Sequence, residues 1–506
     1  MLLFKKTIQN IWFWLFIIIA LVFIFNKTHK TILLKPTSVH MWRQTDCASY
    51  ALNYFQNKNS FFQPQVMSRN PDGGFTTSEF PIIYFFAGKL YEWFGFHDYY
   101  IRLINIFLFI TGLIYLVLIS SLYLKNKILQ LVPAVFTLSS PYLFYYGANF
   151  LPDVPAMCLA FAGLYHFLFF LKSESRIQLT ISVLFFTLAA LLKISAGILW
   201  IASITSFFIH HFNKFSIERK LNLKNLILPF FLFVFSWIII LSWIDFAKSY
   251  NASHNYFGNL LGFYGIWDSD NIEIKNVLSR FFKSWIWDIF SVSTLFFFIS
   301  AFIYFFLKKK FLPKELYSIS FFSFIGVHIY ALGWFRAFYH HDYYMINIFL
   351  FPILFVLCFC VLIEKLHFVN LIQKYVLLTL IIVSLAWGVK HSARIQNFRY
   401  TDSQFKYMPD AVYEIGPYLR SIGIKKQDFV ISATDPSPNM SLYLMNCVGR
   451  TEFYYNDETI NDFKRLGAKY FIAHDTANII VPVLKDYCRK EIPFANYKGV
   501  LIYKLK

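Results

Sequence analysis

The feature that most restricts this chain is a series of apolar runs, at residues 11–25, 101–124, 128–147, 155–171, 177–192, 194–211, 225–246, 289–307, 316–335, 343–364 and 374–390. Each approaches the length of about 20 residues that carries a helix across a bilayer. The runs on either side of Lys193 can also be read as one kinked segment, so ten to twelve spans is the range. Composition points the same way. Only 15% of residues are charged, against roughly 25% in soluble domains. Hydrophobic residues make up 57% and the mean hydropathy is +0.50, so polar groups cannot cover the surface of a soluble fold. The expected class is an α-helical polytopic membrane protein with about eleven transmembrane helices.

The net charge of +19 raises the alternative of nucleic acid. The basic residues, however, fall mostly between the apolar runs, which favours membrane topology and lipid headgroups and excludes a nucleic-acid partner. Alternate loops hold Lys5/Lys6, Lys125/Lys127, Lys172/Arg176, Lys214/Arg219/Lys220/Lys224, Lys308/Lys309/Lys310/Lys314 and Lys365/Lys374. With eleven spans these all share one side, which the positive-inside rule makes cytoplasmic. The expected location is the inner (cytoplasmic) membrane. Segments 26–100, 148–154, the turn at Lys193, 247–288, 336–342 and everything after 390 then face the periplasm. The first run follows Lys5 and Lys6 without a small-residue cleavage site, and reads as an uncleaved anchor.

Two domains are expected: a transmembrane catalytic domain over 1–390 and an extracytoplasmic α/β domain over 391–506. In the second, DFVISA and KYFIAHD read as strands, and 409–422 and 457–467 as helices. No cysteine spacing suggests a zinc site. Cys447 and Cys488 lie in this polar tail, where they are either separate thiols or a pair in an oxidising compartment.

Charged residues on the external side each have a bland reading. Asp46, in HMWRQTDCASYALNYFQN, reads as a helix N-cap or as a functional carboxylate. Glu79, ahead of Pro81 and an apolar segment, has the same two readings. Asp153 sits in LPDVPA, where Pro152 and Pro155 restrict the turn. A carboxylate at a membrane edge is costly unless paired or used. Lys193 either snorkels to the interface or meets an anionic headgroup. The short turn in GWFRAFYHHDYY gathers Arg336, His340, His341, Tyr343 and Tyr344, an array suited to anion binding.

External carboxylates together with cations at span ends suit glycosyl transfer from a polyprenyl-phosphate sugar. One carboxylate takes the acceptor proton as the anomeric carbon gains oxocarbenium character. Basic and tyrosine donors then stabilise the departing phosphate. No Gly-rich phosphate loop is present. Two alternatives remain: a transporter or flippase for lipid-linked sugars, and an oligosaccharide ligase or polymerase. The span interiors hold few ionisable residues, which weighs against transport.

WRQTD, SEFPI, LPDVPA, ALLKISA and HHDYY, in this order over residues 1–390, resemble the polytopic GT-C glycosyltransferases. The nearest likeness is to bacterial relatives of protein O-mannosyltransferases and of the lipid A aminoarabinose transferase. The resemblance implies an inverting enzyme with a polyprenyl-phosphate sugar donor and a lipid, glycan or protein acceptor, working at the periplasmic face. It makes Asp46 and Asp153 the catalytic acidic residues and matches Glu79 to an acidic position associated with metal or substrate in some relatives. A divalent metal is the one cofactor it leaves open. The aminoarabinose transferases carry a lysine after that glutamate and an arginine three residues after the first acid, where this chain has Phe80 and Ser49. Arg43, Lys193, Arg336 and the His340/His341 pair are the expected substitutes at the donor phosphate.

Overall fold

The computed structural model describes the chain apart from residues 1–9, 71, 219–222, 257–261, 366–370, 455–458 and 506. Lys5, Lys6, Arg219 and Lys220 of the loop-charge reading lie outside the described residues. Two compact units emerge. One comprises Met1–Ile32, Asn105–Trp243 and Gly262–Phe398; the other comprises Leu33–Ile104, Ile244–Leu261 and Arg399–Lys506.

The first unit is helical. Among the described residues, seven helices are long and apolar enough to cross a membrane, and two bent pairs bring the number to nine. The helices Ile11–Phe25 and Arg176–Leu192 are apolar but shorter. Together these helices occupy the eleven apolar runs. The bends have local causes. In Lys127–Ser139, Asn126 caps the backbone N–H groups of Ile128 and Leu129, and the pair turns by 76° where Ser140 caps a second helix opened by Pro141. The other pair turns by 101° at Ser291, whose side chain forms a reciprocal capping box with Thr294. Lys193 separates Arg176–Leu192 from the following helix because its backbone is extended, with φ −155° and ψ 113°.

Burial ranks these helices. In Asp342–Lys365, 94% of the apolar window is buried, against 22% in Leu226–Ser253. The first is the core helix of its unit. The second exposes Ile227, Phe230, Phe231 and Ile238, the side chains a lipid-facing helix presents.

The second unit is built around a five-stranded sheet of order β2-β1-β3-β5-β4. The strands are β1 (Val430–Ala433), β2 (Gly449–Thr451), β3 (Tyr470–Ala473), β4 (Ala495–Tyr497) and β5 (Val500–Lys504). β1 is parallel to β2 and β3, while β5 runs antiparallel to β3 and β4. The strands expected at DFVISA and KYFIAHD are β1 and β3, and the expected helices form as Asp410–Ser421 and Ile460–Arg465. β4 and β5 join through Lys498-Gly499, both with positive φ (47° and 90°), as a tight two-residue hairpin requires. Ile431, Phe463, Phe471, Leu484 and Tyr503 form the core on one face.

The first loop belongs to this unit by backbone pairing. Ser68 bridges Gly449 in parallel, Arg69 N donates to Gly449 O at 2.8 Å, and Gly449 N donates to Met67 O at 3.3 Å. Loop 65–76 thus extends the sheet at the β2 edge. Gly449 is required there because an added Cβ would lie 1.9 Å from Val430 O. Cys447 and Cys488 are separate free thiols.

Candidate active site

In the second unit the site grows from the helix Met41–Gln56. It starts at His40, which holds a left-handed φ of 53° and contributes no side-chain cap. Asp46 therefore stands in the second turn and caps nothing, so its N-cap reading is corrected. Arg43 and Asp46, three residues apart, share a helix face. Glu79 is not a cap either: the helix it precedes, Ile82–Phe94, begins after Pro81 without a side-chain cap. Its carboxylate accepts from both the Arg43 guanidinium and the Ser78 and Tyr84 hydroxyls. The Tyr84 hydroxyl also lies 3.1 Å from Cys47 Sγ. Arg43, expected to meet donor phosphate, thus has its charge engaged by Glu79, with side-chain exposures of 16% and 10%.

Asp46 has a different partner. Asn439 Nδ2 donates to Asp46 Oδ1 at 2.7 Å, and Asn439 Oδ1 accepts from Ser68 N at 2.8 Å. Asn439 follows a turn set by Asp435, which is fully buried. The Asp435 carboxylate accepts four hydrogen bonds, from N and Oγ of Ser437 (2.9 and 2.7 Å) and from N and Oγ of Ser441 (2.7 and 2.6 Å).

Burial pushes the Asp46 carboxyl up to about 7. Arg43 and the Asn439 amide pull it down, while Glu79 and Asp435 raise it further. A carboxylate poised there exchanges protons near neutrality, the condition for efficient general-base work. Asp435 is itself raised by burial, against the pull of its four donors.

In the first unit Asp153 opens the helix Asp153–Ser173 and is 1% exposed. Asn105 Nδ2 fixes the preceding turn by donating to Asn149 O at 2.7 Å and Leu151 O at 3.0 Å. Lys193 Nζ lies 2.8 Å from Asp153 Oδ1. The same ammonium sits 4.1 Å from the Tyr344 ring centroid and 5.2 Å from that of Tyr343. Tyr330 Oη donates to Tyr344 O at 2.9 Å, and Asn347 Nδ2 donates to Ser195 Oγ at 3.0 Å, which ties together the helical segments of this cage. Asp342 is buried and accepts from Tyr146 Oη at 2.5 Å.

The structure therefore gathers Asp153, Lys193, Tyr343 and Tyr344, with the His341 ring 5.4 Å from Tyr343. Arg336 is elsewhere, in a half-exposed pair with Glu273 at 3.0 Å. His340 is exposed at the end of the short helix Ala337–His340. Sequence reasoning missed Asn439, Asp435 and Tyr84. SATDPSPNMS, with its run of turn formers and short polar side chains, held the one available signal for the first two. Among the described residues, no group of three or more His, Cys, Asp or Glu side chains is placed to hold a metal ion.

Residues 78–240 match the family described as dolichyl-phosphate-mannose-protein mannosyltransferase. Comparison with curated protein sequences gave no match. In three dimensions, the chain aligns with ArnT from Cupriavidus metallidurans in the apo state at a TM-score of 0.61 and 10% identity, covering 97% of this chain and 98% of that one. This is a GT-C fold. The same ArnT bound to undecaprenyl phosphate gives a TM-score of 0.59 at 10% identity, with coverage of 97% and 98%. The arabinofuranosyltransferase AftD from Mycobacteria gives 0.57 at 12% identity, over 97% of this chain and 40% of that larger one. The chain is thus a multi-pass membrane protein whose GT-C fold is shared with membrane glycosyltransferases.

Proposed function

We propose that the protein is an inverting glycosyltransferase that moves a sugar from a polyprenyl-phosphate-linked donor to a lipid, glycan or protein acceptor at the periplasmic face of the inner membrane. The observation that carries this reading is Asp46, a carboxyl brought to about 7 by burial and tied to Asn439 through one oxygen only. In the reaction the acceptor hydroxyl gives its proton to Asp46. Its oxygen forms the new bond to the anomeric carbon as the bond to the donor phosphate breaks. The electron pair of that bond leaves with the lipid phosphate. Attack opposite the leaving group inverts the anomeric centre.

The first unit, taken by itself, holds a cationic cluster suited to phosphate: Lys193 is supported on the Tyr343 and Tyr344 rings, and Asp153 is the positioning residue that sets its ammonium. His341 stands beside these tyrosines as a further donor. In the second unit Arg43 and Glu79 hold each other, and both charges act on Asp46. The ArnT structure bound to undecaprenyl phosphate supports a donor of this lipid class.

The test is transfer from a labelled polyprenyl-phosphate sugar pool, extracted from the cell envelope, by purified protein. Asp46→Asn keeps the side-chain shape and removes the base, and the rate is expected to fall at least 100-fold. Transfer within a few-fold of the native rate would sink the assignment.

A further inference from the structure

Asn439 is completely buried, and its amide is used at both ends. Its oxygen accepts from Ser68 N at 2.8 Å, which leaves only the Nδ2 end to face Asp46 Oδ1 at 2.7 Å. The orientation is therefore fixed, since a flipped amide would set its oxygen against a carboxylate and its NH2 against an N–H. Among the described residues, Asn439 is the hydrogen-bond donor to Asp46, and it reaches Oδ1 alone. The segment behind it is equally constrained. Asp435 binds Ser437 and Ser441 on both sides of Asn439, and Thr451 Oγ1 donates to Ser437 O.

We propose that Asn439, supplied by the sheet-bearing C-terminal part of the chain, is a positioning residue for the transfer reaction: by occupying Asp46 Oδ1 it presents Oδ2 as the single atom that takes the acceptor proton. The inference rests on the reading of Asp46 as general base. The balance is simple: the proton moves from the acceptor hydroxyl to Oδ2, while the Asn439 N–H stays on Oδ1 before and after transfer. Asn439 neither gains nor loses a proton. Its donation also favours the ionised carboxylate, as does Arg43 on the same helix, against burial and the like charges of Glu79 from the first loop and Asp435 behind Asn439. The Cys47 thiol is the remaining titratable neighbour.

The test uses the full-length protein in detergent and a carbodiimide, dicyclohexylcarbodiimide, which adds to protonated carboxyls. Peptide mass spectrometry reads the modified fraction of Asp46 against pH. In Asn439→Ala the midpoint is expected to rise by about one pH unit, as the loss of one hydrogen bond to a charged group implies. Asn439→Asp retains the acceptor for Ser68 N and the shape of the side chain, so it guards against a mere folding defect. A second negative charge there is expected to raise the midpoint further. In the transfer assay Asn439→Ala should lower kcat about tenfold with KM nearly unchanged. Unmoved midpoints in both variants would overturn the role of Asn439, even where Asp46→Asn abolishes transfer. Transfer that survives Asp46→Asn would instead overturn the general-base reading, whatever the midpoints show.

Discussion

Lys193 meets Asp153 at 2.8 Å while its ammonium rests 4.1 Å from the centre of the Tyr344 ring. One cation thus has two different supports, a carboxylate and an aromatic face. An incoming phosphate can compete for the first and leave the second in place. The ring does not have to be displaced, so the side chain keeps its direction when its partner changes.

Lys193→Met leaves the almost fully buried Asp153 carboxylate without its cation. Breaking such a pair from one side costs about 3–5 kcal/mol. The melting temperature in detergent should drop, and the double variant Asp153→Asn/Lys193→Met should recover most of the loss. Transfer should stay absent in both. A double variant as unstable as the single would show that the pair adds nothing beyond packing.

The pH dependence of transfer follows from Asp46. The proposed base acts in its ionised form, so kcat/KM should rise tenfold per pH unit below about 7 and level off above it. The sign for stability is opposite. A carboxyl raised from 3.8 to about 7 by burial is held protonated by the folded state, so its contribution is complete below 3.8 and is lost as pH rises through 7. Asp46→Asn should remove that loss, which thermal melts at pH 5 and pH 8 will show.

His474 points the other way. It is buried, its Nε2 lies 2.6 Å from Ser432 Oγ, and burial brings it down to about 4. The folded state favours the neutral ring. Its contribution is present above the unfolded value near 6.5 and is lost as pH falls through about 4. Up to roughly 3 kcal/mol should disappear across that window. His474→Asn should flatten the acid side of the stability profile, measured as melting temperature between pH 7 and pH 4.

Gly449→Ala should loosen the sheet edge. A methyl group there would press on Val430 O, so β1, β2 or loop 65–76 must shift, at a cost of about 1–3 kcal/mol. Limited proteolysis should cut within 65–76 faster in this variant than in the native protein.

Much of this was legible in the chain itself. The apolar runs announce the helices because any other arrangement would leave large hydrophobic surfaces in water. Asp153 and Lys193 stood out because charge at a span end needs a reason, and Asp46 because it is a carboxylate in the first external loop in company with them. The start of the helix at Met41 was hidden, since His40 enters a left-handed conformation that no local pattern announces. That placed Asp46 one turn inside the helix rather than at its cap. The pairing of Arg43 with Glu79 and of Asp46 with Asn439 depends on contacts 36 and 393 residues apart in sequence. The sequence reading placed loop 26–100 with the helices. Residues 33–104 group with 244–261 and 399–506, and backbone pairing at Gly449 ties loop 65–76 to the sheet.

That pairing also bears on how the protein is made. Ser68 waits for Gly449, and the chain between them holds most of the apolar helices. During synthesis those helices emerge and must be accommodated before the β2 edge exists. Contacts so distant along a chain are slow to form, because a long loop must close before they give anything back. Asp46 therefore lacks its amide partner throughout most of biogenesis. A nascent or truncated chain would carry Asp46 without Asn439, and on the proposed mechanism transfer would begin only after assembly is complete.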